Sequence, residues 1–507
     1  MSSNLGVGFT GVDYAVLAAY LIGITWFGSR FRRSQTSVKD YFVGNRRTSW
    51  IVICLSIVAT ETSTLTLIGV PALAYSTVAR PEQGGSFTYL QVVAGYIVAR
   101  FVISALFIPA YFQGDMLTAY ELLNRRFGPQ AKHFAASLFL VMRALAEGVR
   151  VFAASLVLAA VVGASLPGLP NLWLWSIVIV GLLTLIYTFE GGIAAVIWTD
   201  LVQLVIYVGG SLLAAWMLLT LVPGGWPAIV ADAGAANKLH VISFARDLTV
   251  PFTFWAGLIG GCFLTMASHG TDQLLVQRLL TCRNQRESQL ALITSGFVVF
   301  AQFVLFLTIG VMLHAYYATH PLPAMASNDE VFPAFIVRSL PHGVAGLVIA
   351  AIFAAAMSNL SGSLNSLAST TMLDFYMPLR QSTADSREST VDTRPTTDDP
   401  RLLLLSRYLT AAWGLALIGI AVLARGWGSV FTVGLTIASI VYGPMLGAFL
   451  LGLLTRRVRQ SDIMIAMGVS LAVMIGVNLA TPLAWTWYVL AGTMVCAGVG
   501  WMASYVG

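Results

Sequence analysis

Long apolar segments separated by short polar ones run through the whole chain, from Val12 to Tyr505. The segments have roughly 20 residues each, the length of α-helix that crosses the hydrocarbon core of a bilayer. This pattern predicts membrane-spanning helices, with lipid as the solvent of the protein surface. About thirteen spans are predicted, at residues 11–30, 48–75, 87–112, 134–161, 172–190, 193–222, 250–274, 290–317, 343–373, 402–424, 428–454, 461–480 and 483–505.

Two of the predicted spans are interrupted. The second contains a polar run at 60–64 that includes Glu61, and the seventh contains a glycine-rich stretch at 257–261 followed by polar residues. Interrupted helices at corresponding places in two halves are typical of inverted-repeat transporters, whose binding site lies near the bilayer midplane. The alternative is that glycine and serine only allow close helix packing. That alternative explains the second span less well, because a glutamate inside a span needs a partner or a function.

The composition excludes a soluble domain. Hydrophobic residues make up 57% of the chain and charged residues 10%, whereas soluble domains carry about 25% charged residues. The four cysteines form no CxxC pair, so neither a disulfide framework nor a metal site is expected. The six histidines are scattered, which argues against an integral-membrane metalloenzyme, and no enzymatic activity is expected.

The basic residues predict the orientation in the membrane. Of the 28 Lys and Arg residues, we count 20 in one set of alternating loops and five in the other. Since cytoplasmic loops are enriched in Lys and Arg, the N-terminus is predicted outside and the C-terminus in the cytoplasm, in the inner (plasma) membrane of a bacterium. This distribution also explains the net charge of +6 without a nucleic-acid partner.

Several charged residues fall inside predicted spans, where each costs about 2.5–3.5 kcal/mol. In the fourth span Arg143, Glu147 and Arg150 are spaced i, i+4, i+7 and share one helix face. They form a buried ion-pair stripe, or leave one arginine free to attract an anion after Glu147 has paired, or lie near the headgroups at the inner surface. The other charges singled out inside spans are Glu61, Arg100 and Asp200.

The ninth predicted span is rich in small and hydroxyl residues at 350–366, where Ser358 and Ser361 share a face. A dehydrated alkali cation is held by hard oxygens, from backbone carbonyls and from Ser, Thr or Asn side chains. Carbonyls are free for this role where a helix unwinds, as the second span is predicted to do near Ala59 and Thr62. The alternative for the ninth span is a helix whose small residues serve packing alone.

Five stretches of sequence together resemble the sodium/solute symporter family. The resemblance extends over about residues 11–460. It implies an all-α polytopic membrane protein with a five-plus-five inverted repeat, in which the first helix of each repeat is broken. The matching stretches are DYFVG at 40–44, YELLNRRF at 120–127, GGI through WTD at 191–200, GTDQ through QR at 270–278, and the small-residue run at 350–366.

The resemblance implies a division of the chain into four parts. Residues 1–47 form an extra N-terminal helix and a basic cytoplasmic loop, 48–222 the first five-helix repeat, 250–454 the second, inverted repeat, and 455–507 two extra helices. Within the second repeat, residues 381–401 are rich in Ser, Thr, Asp and Arg and have no apolar period, which predicts a flexible cytoplasmic loop.

The resemblance also implies a sodium site at the break of the second span. The implied ligands are the backbone carbonyls of Ala59, Thr62 and Ala355 and the side chains of Ser358 and Asn359. Asn359 departs from the Ser or Thr that is usual in the family. Its amide oxygen can still coordinate a cation, but the longer side chain alters the cavity.

Some members of the family have a second cation site, which the resemblance places around Asp200 with Ser358 and Ser361. Gly362 removes one hydroxyl that such a site could use. Glu61 stands where relatives often have Asn or Asp. Three roles are open for it: it binds an ion, carries a proton, or pairs with a nearby arginine.

The positions implied for solute contact are poor in amide and charged side chains. Sugars are therefore disfavoured, because each hydroxyl left unpaired in a dry pocket costs about 1–3 kcal/mol. The stretches GVPA at 69–72 and GPMLG at 443–447 look more like the monocarboxylate, vitamin and iodide branch. With the arginines inside spans, this predicts an organic anion such as a monocarboxylate. A packing role is the alternative for His269. The candidate contacts are Glu61, Thr66, Gln91, Tyr96, Thr265, Ser268, His269 and Thr436.

These expectations combine into one function, the sodium-coupled import of a small organic solute by alternating access. Na⁺ is the expected coupling ion, the lipid bilayer the expected surroundings, and a monomer is expected to suffice, with the oligomeric state left open. Three alternatives are kept: a proton-coupled carrier of the same fold, suggested by Glu61; sodium-coupled uptake of a sugar or amino acid; and a cation channel or leak pathway. The last is disfavoured because the sequence has no repeated pore loops.

Overall fold

The computed structural model describes residues 9–46, 48–78, 80–114, 116–165, 170–321, 328–380, 399–427 and 430–506. In these residues the regular secondary structure is helical, apart from one isolated β-bridge between Thr48 and Cys282. The helices of the first half are α1 (Gly11–Ser29), α2 (Val38–Val43), α3 (Trp50–Glu61), α4 (Thr64–Tyr75), α5 (Leu90–Tyr111), α6 (Glu121–Phe127), α7 (Pro129–Ser165), α8 (Leu172–Leu221) and α9 (Gly225–Ala235). Those of the second half are α10 (Gly261–Gly270), α11 (Gln273–Leu280), α12 (Gln285–Thr319), α13 (Val331–Ser339), α14 (Val344–Thr370), α15 (Pro400–Leu423), α16 (Val430–Leu454), α17 (Gln460–Ala480) and α18 (Tyr488–Val506).

The second predicted span is broken, as predicted, between α3 and α4. Thr62 has an extended backbone, and the two helices meet at an angle of 61°. The polar run supplies the caps: the Ser63 hydroxyl accepts from the Thr66 amide, and the Thr66 hydroxyl accepts from the Ser63 amide. Reciprocal capping of this kind satisfies the amides that a new helix leaves without partners. The polar run therefore ends one helix and starts the next inside a single apolar span.

The seventh predicted span is also broken, but at a different place from the one predicted. The glycine stretch is helical, with a π turn at Ala256–Gly260 that continues into α10. The break lies at Thr271 and Asp272, where the Asp272 carboxylate caps α11 by accepting from the Leu274 amide.

The glycines of this span serve close packing against α5. A Cβ atom on Gly257 would lie 2.6 Å from the carbonyl carbon of Gln91, and one on Gly261 would lie 2.5 Å from the carbonyl oxygen of Val92. The packing alternative therefore holds for residues 257–261, because a residue larger than glycine would force the two backbones apart.

The longest helix, α8, contains a sharp kink that separates two predicted spans. Gly192 has φ +53° and ψ −148°, a conformation that glycine adopts without strain. The Tyr41 hydroxyl donates to the carbonyl oxygens of Thr188 and Phe189, one turn before the kink, at 3.1 Å each. The kink thus divides residues 172–221 at the boundary predicted between spans 172–190 and 193–222.

The helix bounds correspond to the predicted spans, although the number of membrane crossings stays a prediction. Nine helices among the described residues are long and apolar enough to cross a membrane, or ten when α3 and α4 are taken as one span. Residues 381–398 of the predicted loop 381–401 lie outside the described residues. Helix α15 begins at Pro400, so the last two residues of the predicted loop are helical.

Helix α14 lies at the centre of the bundle and positions the site. In its most apolar window 83% of the residues are buried by other parts of the protein, compared with 22% for α15. The small side chains of α14 let α3, α7 and α8 approach closely. The break between α3 and α4 therefore lies directly against the serine-rich part of α14.

Candidate functional site

The break between α3 and α4 meets α14 through polar contacts. The Asn359 side-chain nitrogen, Nδ2, donates to the Thr62 carbonyl at 3.2 Å and to the Ala355 carbonyl at 3.4 Å. Ala59 is buried on α3, one turn before the break. In a continuous helix the Ser63 amide would donate to the Ala59 carbonyl. Here the Ser63 amide donates to the Thr66 hydroxyl instead. Two of the carbonyls expected to hold sodium, those of Thr62 and Ala355, are therefore within reach of one side chain of α14, and the third belongs to the preceding turn of α3.

Ser358, the other predicted sodium ligand, is oriented by Asp200. Its hydroxyl donates to the Asp200 carboxylate at 2.6 Å, and both residues are fully buried. A hydroxyl that donates its proton in one direction keeps two lone pairs for a cation in another. The Asp200 carboxylate therefore prepares the Ser358 oxygen for the role that the sequence predicts.

The geometry speaks against the predicted second cation site. Arg278, which lies beyond the end of the seventh predicted span, is fully buried, and its Nη2 lies 3.0 Å from Asp200. The Ser56 hydroxyl donates to the same carboxylate oxygen at 2.5 Å. Ser361 donates to the Ser358 carbonyl within its own helix rather than facing Asp200. The Arg278 guanidinium thus lies beside the Asp200 carboxylate and balances the negative charge that a second cation would need.

A cavity of about 160 Å³ lies beside the break. Six of the predicted solute contacts line it, namely Glu61, Thr66, Tyr96, Thr265, Ser268 and His269. Residues of α7, α11, α12, α14 and α16 also line it, so both broken spans contribute to the same cavity. The polar lining residues that are not among the predicted solute contacts are Thr60, Ser63, Tyr89, Arg143, Arg150, Asn359 and Tyr442.

Two predicted solute contacts lie outside this lining. The Gln91 amide bonds to the backbone of a loop instead, donating to the Phe252 carbonyl at 2.9 Å and accepting from the Ser243 amide at 3.0 Å. Thr436 is one residue past Leu435, which faces the cavity, and successive residues of a helix point in directions about 100° apart. The expected contacts of Gln91 and Thr436 with the solute are therefore not supported.

One wall of the cavity carries a buried charge cluster. Arg100 donates to the carboxylate of Glu61, and its Nη2 lies 3.4 Å from Nε2 of His269. It also donates to the Ser295 hydroxyl at 3.2 Å. Of the three roles open for Glu61, the structure shows the pairing with arginine. The Nδ1 atom of His269 lies 2.9 Å from the Ser268 hydroxyl, so the ring has a polar contact on each side.

The lining also contains the two arginines of α7, and they have different partners. Arg143 donates to Asp272 at the break before α11 and also to the Tyr442 hydroxyl, at 3.1 Å. Arg150 pairs with Glu147 at 3.2 Å. The side chain of Arg150 is 22% exposed, whereas that of Glu147 is 1% exposed. The predicted stripe is thus two separate ion pairs, and Arg150 presents its positive charge to the cavity.

Aromatic side chains give the cavity an apolar side. The rings of Tyr89 and Phe303 are stacked with their centroids 5.3 Å apart, and the hydroxyls of Tyr89 and Tyr96 are 3.2 Å apart. Tyr89, Phe303 and Tyr442 were not predicted from the sequence. The sequence does contain one signal for Tyr442, because Asp272 is a further charge near the end of a span and requires donors around it.

Comparisons with known proteins agree with this architecture. The model of the Sodium:solute symporter family matches residues 41–470. The chain is 29% identical over 510 residues to the Sodium/sialic acid symporter NanT of Aliivibrio fischeri, covering 98% of this chain and 93% of that protein. It is also 29% identical over 454 residues to the Sodium-coupled monocarboxylate transporter 2 of Mus musculus, covering 88% of this chain and 68% of that protein.

Solved structures show the same fold. The substrate-bound outward-open state of a Na⁺-coupled sialic acid symporter has a TM-score of 0.85 and 28% sequence identity, with 98% of each chain covered. A nucleobase-cation-symport-1 family transporter, MHP1, has a TM-score of 0.56 at 14% identity, with 92% of this chain and 94% of that chain covered. At that identity the likeness concerns the fold alone.

Proposed function

The chain belongs to the sodium:solute symporter family, and from this premise we propose that it imports a small organic anion, such as a monocarboxylate, together with sodium. The two five-helix repeats, 48–222 and 250–454, expose the cavity alternately to each side of a bacterial inner membrane. In this proposal the N-terminus is outside and the C-terminus is cytoplasmic. One chain contains both repeats and both broken spans, so a monomer suffices.

The exposed charge of Arg150 is the observation that carries the anion assignment. Its partner Glu147 is 1% exposed, is not among the described residues that line the cavity, and also accepts from the Ser363 hydroxyl at 2.9 Å. A carboxylate in the cavity can therefore contact the Arg150 guanidinium without contacting the Glu147 carboxylate. In a cavity with little water, a charge-assisted hydrogen bond between a guanidinium and a carboxylate is among the strongest polar contacts that a protein offers.

The size of the cavity favours a small solute. Its volume of about 160 Å³ is below the ~300–1,000 Å³ of sites that hold drug-sized ligands. The aromatic side, with Tyr89 and Phe303, suits an apolar group attached to the acid. A sialic acid, which relatives transport according to their names, also carries a carboxylate and is the second candidate.

The sodium ion is proposed to lie where the α3 break meets α14. The carbonyls of Ala59, Thr62 and Ala355 and the hydroxyl of Ser358 are four hard oxygens, the donor type that alkali cations require, and Oδ1 of Asn359 is the fifth once its amide has turned. A proton-coupled carrier is less well supported, because the Glu61 carboxylate that would carry the proton is already paired with Arg100.

A binding screen of the purified protein tests the proposal. Monocarboxylates, sialic acid, iodide, hexoses and amino acids are compared by thermal shift, each with and without sodium. We expect a carboxylate to raise the melting temperature, and sodium to enlarge that rise.

The Arg150→Gln variant then tests the role of the guanidinium, with Arg32→Gln as the matched control, because Arg32 forms an exposed ion pair with Glu190. Arg150→Gln is expected to weaken carboxylate binding at least tenfold, since it removes a charged hydrogen-bond donor worth about 1.5–3 kcal/mol. Arg32→Gln is expected to leave binding unchanged. Binding of hexoses alone, with no effect of Arg150→Gln, would reject the anion assignment.

A further inference from the structure

Asn359 is buried at the boundary between two sites. Its Nδ2 atom bonds to the Thr62 and Ala355 carbonyls, two of the proposed sodium ligands, and its side chain also lines the solute cavity. The residue is 3% exposed. No other side chain among the described residues is hydrogen-bonded to both of these carbonyls while lining the cavity.

The chemistry of the amide determines which of its atoms faces the carbonyls. A carbonyl oxygen only accepts hydrogen bonds, so it takes the NH₂ group of Asn359 and repels Oδ1. The NH₂ group carries partial positive charge, and it occupies lone pairs of the same oxygens that a sodium ion would use. Both partners cannot use the same lone pairs, so the NH₂ group competes with sodium.

The neighbouring Ser358 provides a contrast. Its hydroxyl donates to Asp200, away from the Thr62 and Ala355 carbonyls, and so leaves its oxygen available to a cation without any rearrangement. Asn359 has to move before it can act as a ligand. A rotation of the amide by 180° about its last side-chain bond exchanges Oδ1 with Nδ2, and this needs no movement of the backbone.

We infer that Asn359 is a tethered competitor of sodium that links ion binding to solute binding; the inference rests on the proposed function. Sodium displaces the NH₂ group from the Thr62 and Ala355 carbonyls, and Oδ1 turns toward the ion. The NH₂ group then points into the cavity, where it donates to the carboxylate of the solute. Because coupling between two ligands is reciprocal, the solute that holds the NH₂ group in the cavity also favours the bound sodium.

The variants Asn359→Ser and Asn359→Ala test this inference, with Asn478→Ser as the control, because Asn478 lies on α17 and its amide contacts the Tyr488 hydroxyl. Sodium is titrated without solute, by tryptophan fluorescence of the purified protein. The affinity for the carboxylate identified by the screen is then measured with and without saturating sodium. Elution in size-exclusion chromatography verifies that each variant is folded.

We expect Asn359→Ser to lower the half-saturating sodium concentration about fivefold, since a competing hydrogen bond of ~1 kcal/mol is removed while a hydroxyl ligand remains. In both variants sodium should raise the affinity for the carboxylate much less than in the wild type, because only the coupling through the outward–inward equilibrium is left. The control should behave as the wild type does in both measurements.

Three results would overturn the inference. If both variants bind sodium more weakly but keep the coupling, Asn359 is only a ligand. If neither parameter changes, its hydrogen bonds serve structure alone. Independent binding of sodium and carboxylate to the wild-type protein would contradict the inference even if no variant folds. Failure of the proposed function is recognised separately, because either no carboxylate would bind in the screen or the wild-type protein would show no response to sodium in any titration.

Discussion

Arg143 and Arg150 are seven residues apart on one face of α7, yet their surroundings give them different roles. Arg143 is 3% exposed and is held by Asp272 and Tyr442, which join α7 to the second break and to α16. Removing one member of a buried ion pair costs about 3–5 kcal/mol, because the other charge is left unpaired. Both arginines line the cavity, but the side chain of Arg150 is 22% exposed, so Arg150 is the one proposed to hold the solute.

At the same scale, Ser358 provides a test of the sodium site. In Ser358→Ala the Asp200 carboxylate keeps Arg278 and Ser56 as partners, so the protein is expected to fold. Loss of one coordinating oxygen should raise the sodium concentration for half-maximal uptake at least tenfold. This concentration is measured by uptake into proteoliposomes over a range of sodium concentrations. The maximal rate at saturating sodium should change much less.

Ser361→Ala is the matched control for Ser358→Ala, because its hydroxyl bonds to a carbonyl of its own helix. It should leave the sodium dependence of uptake unchanged. An unchanged dependence in Ser358→Ala would remove Ser358 from the proposed ligands. An effect of Ser361→Ala as large as that of Ser358→Ala would restore the second cation site that the geometry disfavours.

The side chains of the site show what the sequence can and cannot predict. The cost of a charge inside the bilayer indicated that Glu61 and Asp200 need partners, but not which ones. The apolar pattern of the seventh predicted span ends at residue 274, before Arg278, but in the structure α11 holds Arg278 in the interior. Hydropathy along the sequence does not reveal that the charged residues after a break can be buried inside the protein.

At the scale of helices, polar caps predict a break better than glycines do. The run at 60–64 contains hydroxyls that can cap a new helix, and the break lies there. The glycines at 257–261 offer no capping group and remain helical, while the break in that span lies at Asp272, which can cap. A search for side chains that satisfy free amides would have placed both breaks correctly.

The kink at Gly192 gives a prediction of its own. A Cβ atom at this position would lie 2.5 Å from the Tyr41 carbonyl oxygen, and the positive φ disfavours any other residue. Gly192→Ala is therefore expected to destabilise the protein by about 1–3 kcal/mol, measured as a lower melting temperature of the purified protein.

The matched control for this prediction is Gly209→Ala in the same helix, where a Cβ atom would meet nothing within 4 Å. There alanine should leave the melting temperature unchanged or raise it, because glycine is the weaker helix former by about 1 kcal/mol. Equal effects of the two substitutions would mean that the kink does not depend on glycine at position 192.

At the scale of the whole molecule, the sequence predicts the spans but not their arrangement. Helix α14 is buried over most of its length while α8, which is similarly apolar, has 39% of its window buried. Lipid and protein interiors are equally apolar, so hydropathy does not separate central helices from peripheral ones. What marks α14 in the sequence is its small residues, since only these allow several helices to approach it at once.

The arrangement of the whole molecule also suggests how the transport of the solute is coupled to that of sodium. Sodium and solute are proposed to bind on either side of the α3–α4 break, with Asn359 between them and both broken spans lining the cavity. A transporter built in this way couples the two ligands because both bias the same two-state equilibrium between outward and inward states. The energy for accumulation then comes from the sodium gradient.

Uptake of the identified carboxylate into proteoliposomes, under a sodium gradient alone and under a proton gradient alone, tests this account most directly. An inward sodium gradient should drive accumulation above the external concentration, and a proton gradient without sodium should give no more uptake than liposomes without protein. Full uptake driven by the proton gradient alone, with no response to sodium, would contradict the account.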